Sequence, residues 1–142
     1  PFAKGYAVQL FANAILPGSL HGVDPTVMSA TVLQALDFLD ITRLPWCSDP
    51  PLYAMAAARL GMTELALELL LQPNGTAGGT MSYLSSGHCA IKGFLPLYTP
   101  GNGALLSSVA MMAGGWDGGP KKITERFPAG FHVKAEGFAT MF

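Results

Sequence analysis

Charged side chains are scarce in this 142-residue sequence: Asp, Glu, Lys and Arg make up 12% of it, where roughly 25% is usual for globular domains. Hydrophobic residues make up 50%, and Lys92 is the only formally charged residue between Glu68 and Asp117. A compact domain of this size normally carries more charge on its surface. The composition leaves three explanations open: a membrane protein, an oligomer, or a piece of a larger domain.

Long apolar runs and excess positive charge are also missing. No stretch of about 18 residues is free of proline, glycine clusters and charge, as a membrane-spanning helix requires. The net charge is -1, so nothing indicates binding to nucleic acid or to an anionic membrane surface. The first residues, PFAKGYAVQL, lack the cationic start and cleavage site of a signal peptide. We expect residues 1–142 to form one domain that is a fragment of a larger one, because the sequence starts at Pro1.

Metal and nucleotide motifs are absent. The two cysteines form no Cys-x-x-Cys pair and the three histidines have no His-x-x-x-His spacing, so the sequence predicts no metal site. Gly101-Asn102-Gly103 lacks the Lys-Ser/Thr of a phosphate-binding loop, and we predict no cofactor. The sequence does not decide the state of Cys47 and Cys89: they form a disulfide if the protein is secreted, or they are two small buried thiols.

Helical signals dominate what is present. Asp24-Pro25 and Asp49-Pro50 each combine an N-cap residue with proline at the first helical position. Thr63 is predicted to cap a further helix, and Gly61 to join two helices in an αα-hairpin. Apolar residues at helical spacing predict five helices, over residues 6–16, 25–39, 50–60, 64–71 and 104–113.

Two segments lack helical periodicity. Gly75 to Pro100 is interpreted as a long functional loop because it is rich in Gly, Ser, Thr and Pro but also carries aromatic residues. Gly130 to Phe138 alternates apolar and polar residues, which predicts a short strand. The predicted fold class is therefore mainly α with a short C-terminal β element.

Few residues are suited to chemistry, and each has a structural alternative. Asp49 lies three residues after Trp46, and an acid beside a flat aromatic face is typical of sugar sites; as an alternative, Asp49 is an N-cap. Asn102 is either a site amide or the N-cap of the following helix. His88 is either a site residue or an ordinary surface histidine. Glu136 is either an acid of the site or an exposed strand charge.

Several blocks of sequence, taken in order, resemble one known group. They are Trp46-x-x-Asp-Pro-Pro-Leu-Tyr-Ala-Met, Ala57-Ala-Arg-Leu-Gly-x-x-Glu-Leu-Ala, Tyr83-Leu-x-x-Gly-His, Leu95-Pro-Leu-Tyr-x-Pro-Gly-Asn-Gly and Gly115-Trp-Asp-Gly. From about Asp24 to Glu136 the chain is similar to the C-terminal part of six-hairpin glycosidase-like proteins. Those proteins are (α/α)6 toroids related to glycoside hydrolase families 65 and 95.

The resemblance implies an incomplete (α/α)6 toroid built of helical hairpins, with a carbohydrate ligand. In such enzymes paired carboxylates cleave the glycosidic bond, and Asp49 and Glu136 are the acids of this chain that we expect to serve as general acid or base. The candidate substrate-binding residues are Trp46, His88, Tyr98 and Asn102. In the fucosidase branch a catalytic Asp stands where this sequence has Pro100, which cannot activate water.

The resemblance also implies a partner. The remainder of the toroid, or an oligomeric partner, is expected to cover the apolar helix faces, and we expect this chain alone to have little or no hydrolase activity. One alternative function is a non-enzymatic helical-hairpin interaction module, because residues 56–70 resemble one tetratricopeptide-type hairpin. Another is a family member that binds sugar without catalysis.

Overall fold

A computed structural model of the chain describes residues 10–38, 46–71, 81–83, 86–91 and 95–141. The fold is mainly helical, as predicted. Within these ranges there are five α-helices, α1 (Phe11–Ala14), α2 (Pro25–Phe38), α3 (Asp49–Arg59), α4 (Thr63–Leu70) and α5 (Thr99–Gly114), and two strands, β1 (Met81–Tyr83) and β2 (Cys89–Ile91). Single turns of 3-10 helix cover Gly18–His21 and Ile123–Glu125. Residues 6–9 and 39 of the predicted helices lie outside the described residues.

Helix α2 begins as the sequence predicts. The Asp24 Oδ1 accepts hydrogen bonds from the backbone N–H groups of Thr26 at 2.7 Å and Val27 at 3.1 Å. These bonds stabilise the charged carboxylate and lower the pKa of Asp24. The face of α2 that carries Met28 and Val32 is buried in the core. Asp24 is therefore confirmed as an N-cap.

Helices α3 and α4 form the predicted αα-hairpin. Gly61 has a φ of 78° between them, a left-handed conformation that glycine adopts without strain. Thr63 is the first residue of α4 rather than its cap: Met62 precedes it, and no side chain caps that end. The prediction of a Thr63 cap is wrong because the Thr63 hydroxyl lies against the Glu64 carboxylate, at 3.1 Å, instead of the backbone.

Helix α3 is the centre of the fold. Every residue from Pro51 to Ala58 is buried, and α1, α2, α4 and α5 all pack on it. Two side-chain hydrogen bonds tie α1 to the C-terminal half of α3. Asn13 Nδ2 donates to the Ala56 carbonyl at 3.4 Å, and Arg59 Nε donates to the Ala14 carbonyl at 3.2 Å. The small residues of α3 allow this close approach from several sides.

The segment interpreted as a long loop contains a β-hairpin. Strands β1 and β2 pair antiparallel, with Met81 opposite Ile91 and Tyr83 opposite Cys89. The loop prediction is wrong for these residues because strands of three residues are too short to show a periodic pattern.

The strand predicted over Gly130 to Phe138 does not form. Those residues have no regular secondary structure, and their alternating side chains are mostly exposed. Met141 instead forms an isolated bridge with Trp116, in which Met141 N–H donates to the Gly115 carbonyl and Asp117 N–H donates to the Met141 carbonyl. An alternating segment needs a neighbouring strand to pair with, and no strand within the described ranges pairs with residues 130–138. Across the described ranges, no helix is long and apolar enough to cross a membrane.

Candidate functional site

Two of the predicted site residues form an aromatic pair. The ring centroids of Trp46 and Tyr98 lie 5.6 Å apart, with the ring planes inclined by 30°. Both side chains are partly exposed and pack against the cysteines Cys47 and Cys89. The pair therefore offers partly exposed aromatic surface with polar groups at the indole N–H and the phenol, and side chains of this kind can form a stacking platform for sugars.

A disulfide between Cys47 and Cys89 lies beneath the aromatic pair. Its Cα atoms are 6.2 Å apart, and both side chains are buried. The sequence alone did not distinguish a disulfide from two free thiols, and in the structure the two cysteines form a disulfide. The bond fixes the chain segment before α3 to strand β2, so that Trp46 comes close to Tyr98.

Gly101 packs directly on the disulfide. A Cβ atom at Gly101 would lie 2.9 Å from the Cβ atoms of Cys47 and Cys89 and from the Cys89 Sγ. The Tyr83 hydroxyl lies 2.9 Å from the Cys47 carbonyl oxygen and 2.8 Å from that of Gly101, and can donate to either. Burial raises the pKa of Tyr83 to about 12, so it stays a neutral donor.

Asn102 is neither a turn residue nor a helix cap. The Pro-Gly-Asn-Gly sequence forms the first turn of α5, which begins at Thr99. The Asn102 Oδ1 accepts a hydrogen bond from the Cys89 N–H at 3.0 Å, and its Nδ2 donates to the Gly87 carbonyl at 2.7 Å. The amide therefore fastens the turn before β2 to α5, with one hydrogen bond from each of its two functional atoms.

Asp49 is a buried acid. It is the first residue of α3, with Ser48 at the N-cap position, so its predicted N-cap role is wrong. Its side chain is only 4% exposed, and Oδ2 has no hydrogen-bond partner. Burial raises the pKa of Asp49 to about 7, although a hydrogen bond from the Trp46 backbone opposes this rise. Asp49 can therefore hold or release a proton near neutral pH.

Tyr53 accompanies Asp49 one helical turn further along α3. It is fully buried, and its hydroxyl also lacks a hydrogen-bond partner. Burial, with a smaller contribution from the charge of Asp49, raises the pKa of Tyr53 to about 12. The sequence analysis missed Tyr53, although its spacing of four residues from Asp49 places both on one helix face.

His88 and Glu136 are both exposed, unlike this buried acid. His88 is exposed, and its Nδ1 lies 2.9 Å from the Ser86 Oγ, beside the turn that Asn102 holds. Glu136 is exposed in the irregular tail, and no hydrogen bond in the described part of the chain joins it to Asp49. The catalytic roles of Asp49 and Glu136 stay predictions, as does the site role of His88.

A cavity of about 530 Å³ opens beside the aromatic pair, with Tyr98 in its wall. The remaining wall is mostly apolar. Helix α1 and the residue after it contribute Phe11 and Ile15, α3 contributes Leu52 and Met55, and α5 contributes Pro100 and Ala104. Cavities of roughly 300–1,000 Å³ with apolar walls and few polar groups are typical of small-molecule sites.

The described residues contain no group of three or more His, Cys, Asp or Glu placed to hold a metal ion. The chain matches no protein-family model, and it matches neither a curated protein nor a solved structure. The chemistry of the site therefore rests on the side chains described above.

Proposed function

We propose that this chain is the C-terminal portion of an (α/α)6 glycosidase-like protein, and that it binds a carbohydrate on the Trp46–Tyr98 platform. The resemblance in the sequence supports the family, and the mainly helical fold with one complete αα-hairpin is compatible with it. Within this proposal the remaining hairpins of the toroid pack on the exposed apolar side chains of the chain. Five of these among the described residues are more than half exposed: Leu20, Val27, Leu33, Leu71 and Leu106.

The observation that carries the proposal is the state of Asp49. A glycosidase needs a general acid whose pKa is raised to the operating pH, and burial is the usual way to raise it. Asp49 has that burial and one unpartnered oxygen, and it follows Trp46 of the platform by three residues. The second carboxylate of the pair is proposed to be Glu136, or an acid of the remaining toroid.

Sugar binding is tested by calorimetric titration of the purified chain with a panel of oligosaccharides. We expect at least one to bind, and Trp46→Ala to weaken it by about tenfold or more, because the stacking face is lost. Phe131→Ala is the matched control, since Phe131 is an exposed aromatic residue outside the platform, and it should leave the affinity unchanged. Absence of binding across the panel, or equal effects of the two variants, would refute the proposal.

Catalysis is tested separately with chromogenic aryl glycosides. The chain alone is expected to show little or no turnover, because in this proposal it supplies only part of the toroid whose pocket holds both carboxylates. Clear turnover that survives Asp49→Asn would contradict the role of Asp49. Turnover that Asp49→Asn abolishes would keep that role and refute only the inactivity of the isolated chain.

A helical-hairpin interaction module is the second candidate function. The observation that favours it is the complete α3–α4 hairpin, with its left-handed joint at Gly61. Such a module would bind a protein through its helix faces and no sugar. The same titration distinguishes the two candidates.

A further inference from the structure

Four separate segments line the cavity beside the aromatic pair. The segment after α1 contributes Ile15, α3 contributes Leu52, α5 contributes Ala104 and the tail contributes Met141. A space bounded by four separate segments suits a compact small molecule better than a flat protein partner.

The walls of the cavity are held in place by backbone and side-chain bonds. Hydrogen bonds from Asn13 and Arg59 fix α1 on α3. Two backbone hydrogen bonds hold Met141 between Gly115 and Asp117. A cavity with fixed walls loses little conformational entropy when a ligand enters it.

The chemistry of the wall selects an apolar ligand group. Among the described residues that line the cavity, the side chains with hydroxyl groups are Ser48, Tyr98 and Ser107, and none of these lining residues is charged. A sugar ring would leave most of its hydroxyls without partners against such a wall, which is costly. A hydrocarbon group gains free energy there, and a cavity of roughly 150 Å³ already accepts benzene, so about 530 Å³ accommodates a larger group.

Tyr98 connects this cavity to the proposed sugar platform. Its ring pairs with Trp46, and it also lines the cavity. A ligand whose sugar ring stacks on the platform would therefore direct its neighbouring group past Tyr98 into the apolar space. Because Tyr98 belongs to both places, the sugar ring of one ligand would lie on the platform and its neighbouring group in the cavity.

We infer that the cavity is the subsite for an apolar aglycone, so that the ligands of this chain are glycosides of hydrocarbon alcohols or phenols rather than free oligosaccharides alone. This inference rests on the proposed carbohydrate binding and names the class of its ligand. It assigns a binding role to the apolar residues of the cavity wall, chiefly Leu52, Met55 and Ala104.

The test is calorimetric titration with matched methyl and hexyl glycosides of glucose, galactose and fucose, and with 1-hexanol. For the sugar that binds, the hexyl glycoside should bind at least about tenfold tighter than the methyl glycoside, because each buried methylene group adds apolar contact. Ala104→Phe fills the cavity and should remove this gain while the methyl glycoside binds as before. Ser107→Phe, at a second position of the wall, should do the same if Ala104→Phe fails to fold.

Leu106→Phe is the control, because Leu106 lies on the same helix but is 70% exposed and does not line the cavity. It should leave the gain intact, which separates cavity binding from general adhesion of hexyl chains. Equal affinity of methyl and hexyl glycosides would overturn the aglycone subsite while leaving sugar binding in place. Hexyl glycosides that bind no better than 1-hexanol, with no binding of any methyl glycoside, would overturn the carbohydrate proposal and the aglycone assignment with it.

Discussion

The side chain of Asn102 accepts a hydrogen bond from the backbone of Cys89, with 3.0 Å between Oδ1 and N. Through this bond, and through its second bond to the Gly87 carbonyl, helix α5 holds the turn that leads into strand β2. The same strand carries one half of the disulfide. The Asn102 hydrogen bonds hold α5 to strand β2, and the disulfide holds β2 to the segment before α3. Together these bonds place Trp46 beside Tyr98.

Replacement of Asn102 by alanine should destabilise the chain by about 2 kcal/mol, because two hydrogen bonds between α5 and the β2 turn are lost. Urea denaturation followed by circular dichroism measures the change. Gln34→Ala, at an exposed position of α2, is the control and should stay within about 0.5 kcal/mol. Equal stabilities of the two variants would show that the Asn102 bonds do not contribute to the fold.

Alanine at Gly101 and at Gly103 should have opposite effects. A Cβ at Gly101 would collide with the disulfide, whereas one at Gly103 meets no atom within 4 Å. Gly101→Ala should cost about 1–3 kcal/mol, while Gly103→Ala should gain up to about 1 kcal/mol because it stiffens a helical position. Thermal unfolding of both variants measures the difference, and a gain in stability from Gly101→Ala would contradict the packing described here.

Removal of the disulfide should lower the free energy of unfolding by about 3–4 kcal/mol, since its cysteines are 42 residues apart in sequence and the unfolded chain would gain the entropy of that loop. The measurement compares unfolding with and without dithiothreitol, and with the double variant Cys47→Ala, Cys89→Ala. Dithiothreitol should have no effect on the double variant. If it destabilises both proteins equally, the effect does not come from this bond.

Stability should decrease as the pH rises through the acidic range. The pKa of Asp49 is about 7 in the folded chain against an ordinary value of 3.8, so between these values the folded state holds a proton that the unfolded state has lost. The free energy of unfolding therefore falls from about pH 4 to about pH 7 and levels off above, by an amount on the order of a few kcal/mol. Denaturation curves at several pH values measure this slope.

Asp49→Asn should remove that slope and stabilise the chain above pH 7, because the amide needs no proton to stay neutral. Asp37→Asn is the matched control at an exposed position of α2, and the slope should persist in it. A slope that persists in Asp49→Asn would mean that another group controls the pH dependence.

Local signals in the sequence predicted what depends on local contacts. Asp24 caps α2 through bonds to residues two and three positions away, and Gly61 turns the chain within one residue, so both features are specified by a few neighbours. Asp49 has the same Asp-Pro pattern but a different role, because helices packed on α3 bury it. The dipeptide alone carries no information on that packing.

Features that join distant segments could not be predicted from the sequence. The disulfide links residues 42 positions apart, and nothing local distinguishes paired from free cysteines. The predicted helix starts only at residue 104, because glycine and proline are poor helix formers, yet α5 begins at Thr99 and Gly101 is required where the helix meets the disulfide. Trp46 and Tyr98 are among the predicted substrate-binding residues, while Tyr53, Tyr83 and the cavity were not predicted.

The disulfide also makes part of the molecule a closed covalent ring. Helices α3 and α4 and strand β1 all lie between Cys47 and Cys89. A single cut of the backbone anywhere between these cysteines leaves two pieces that remain joined, so a protease that nicks the ring produces no smaller species until a reductant is added. The αα-hairpin at the centre of the core would thus stay attached to the rest of the chain after cleavage.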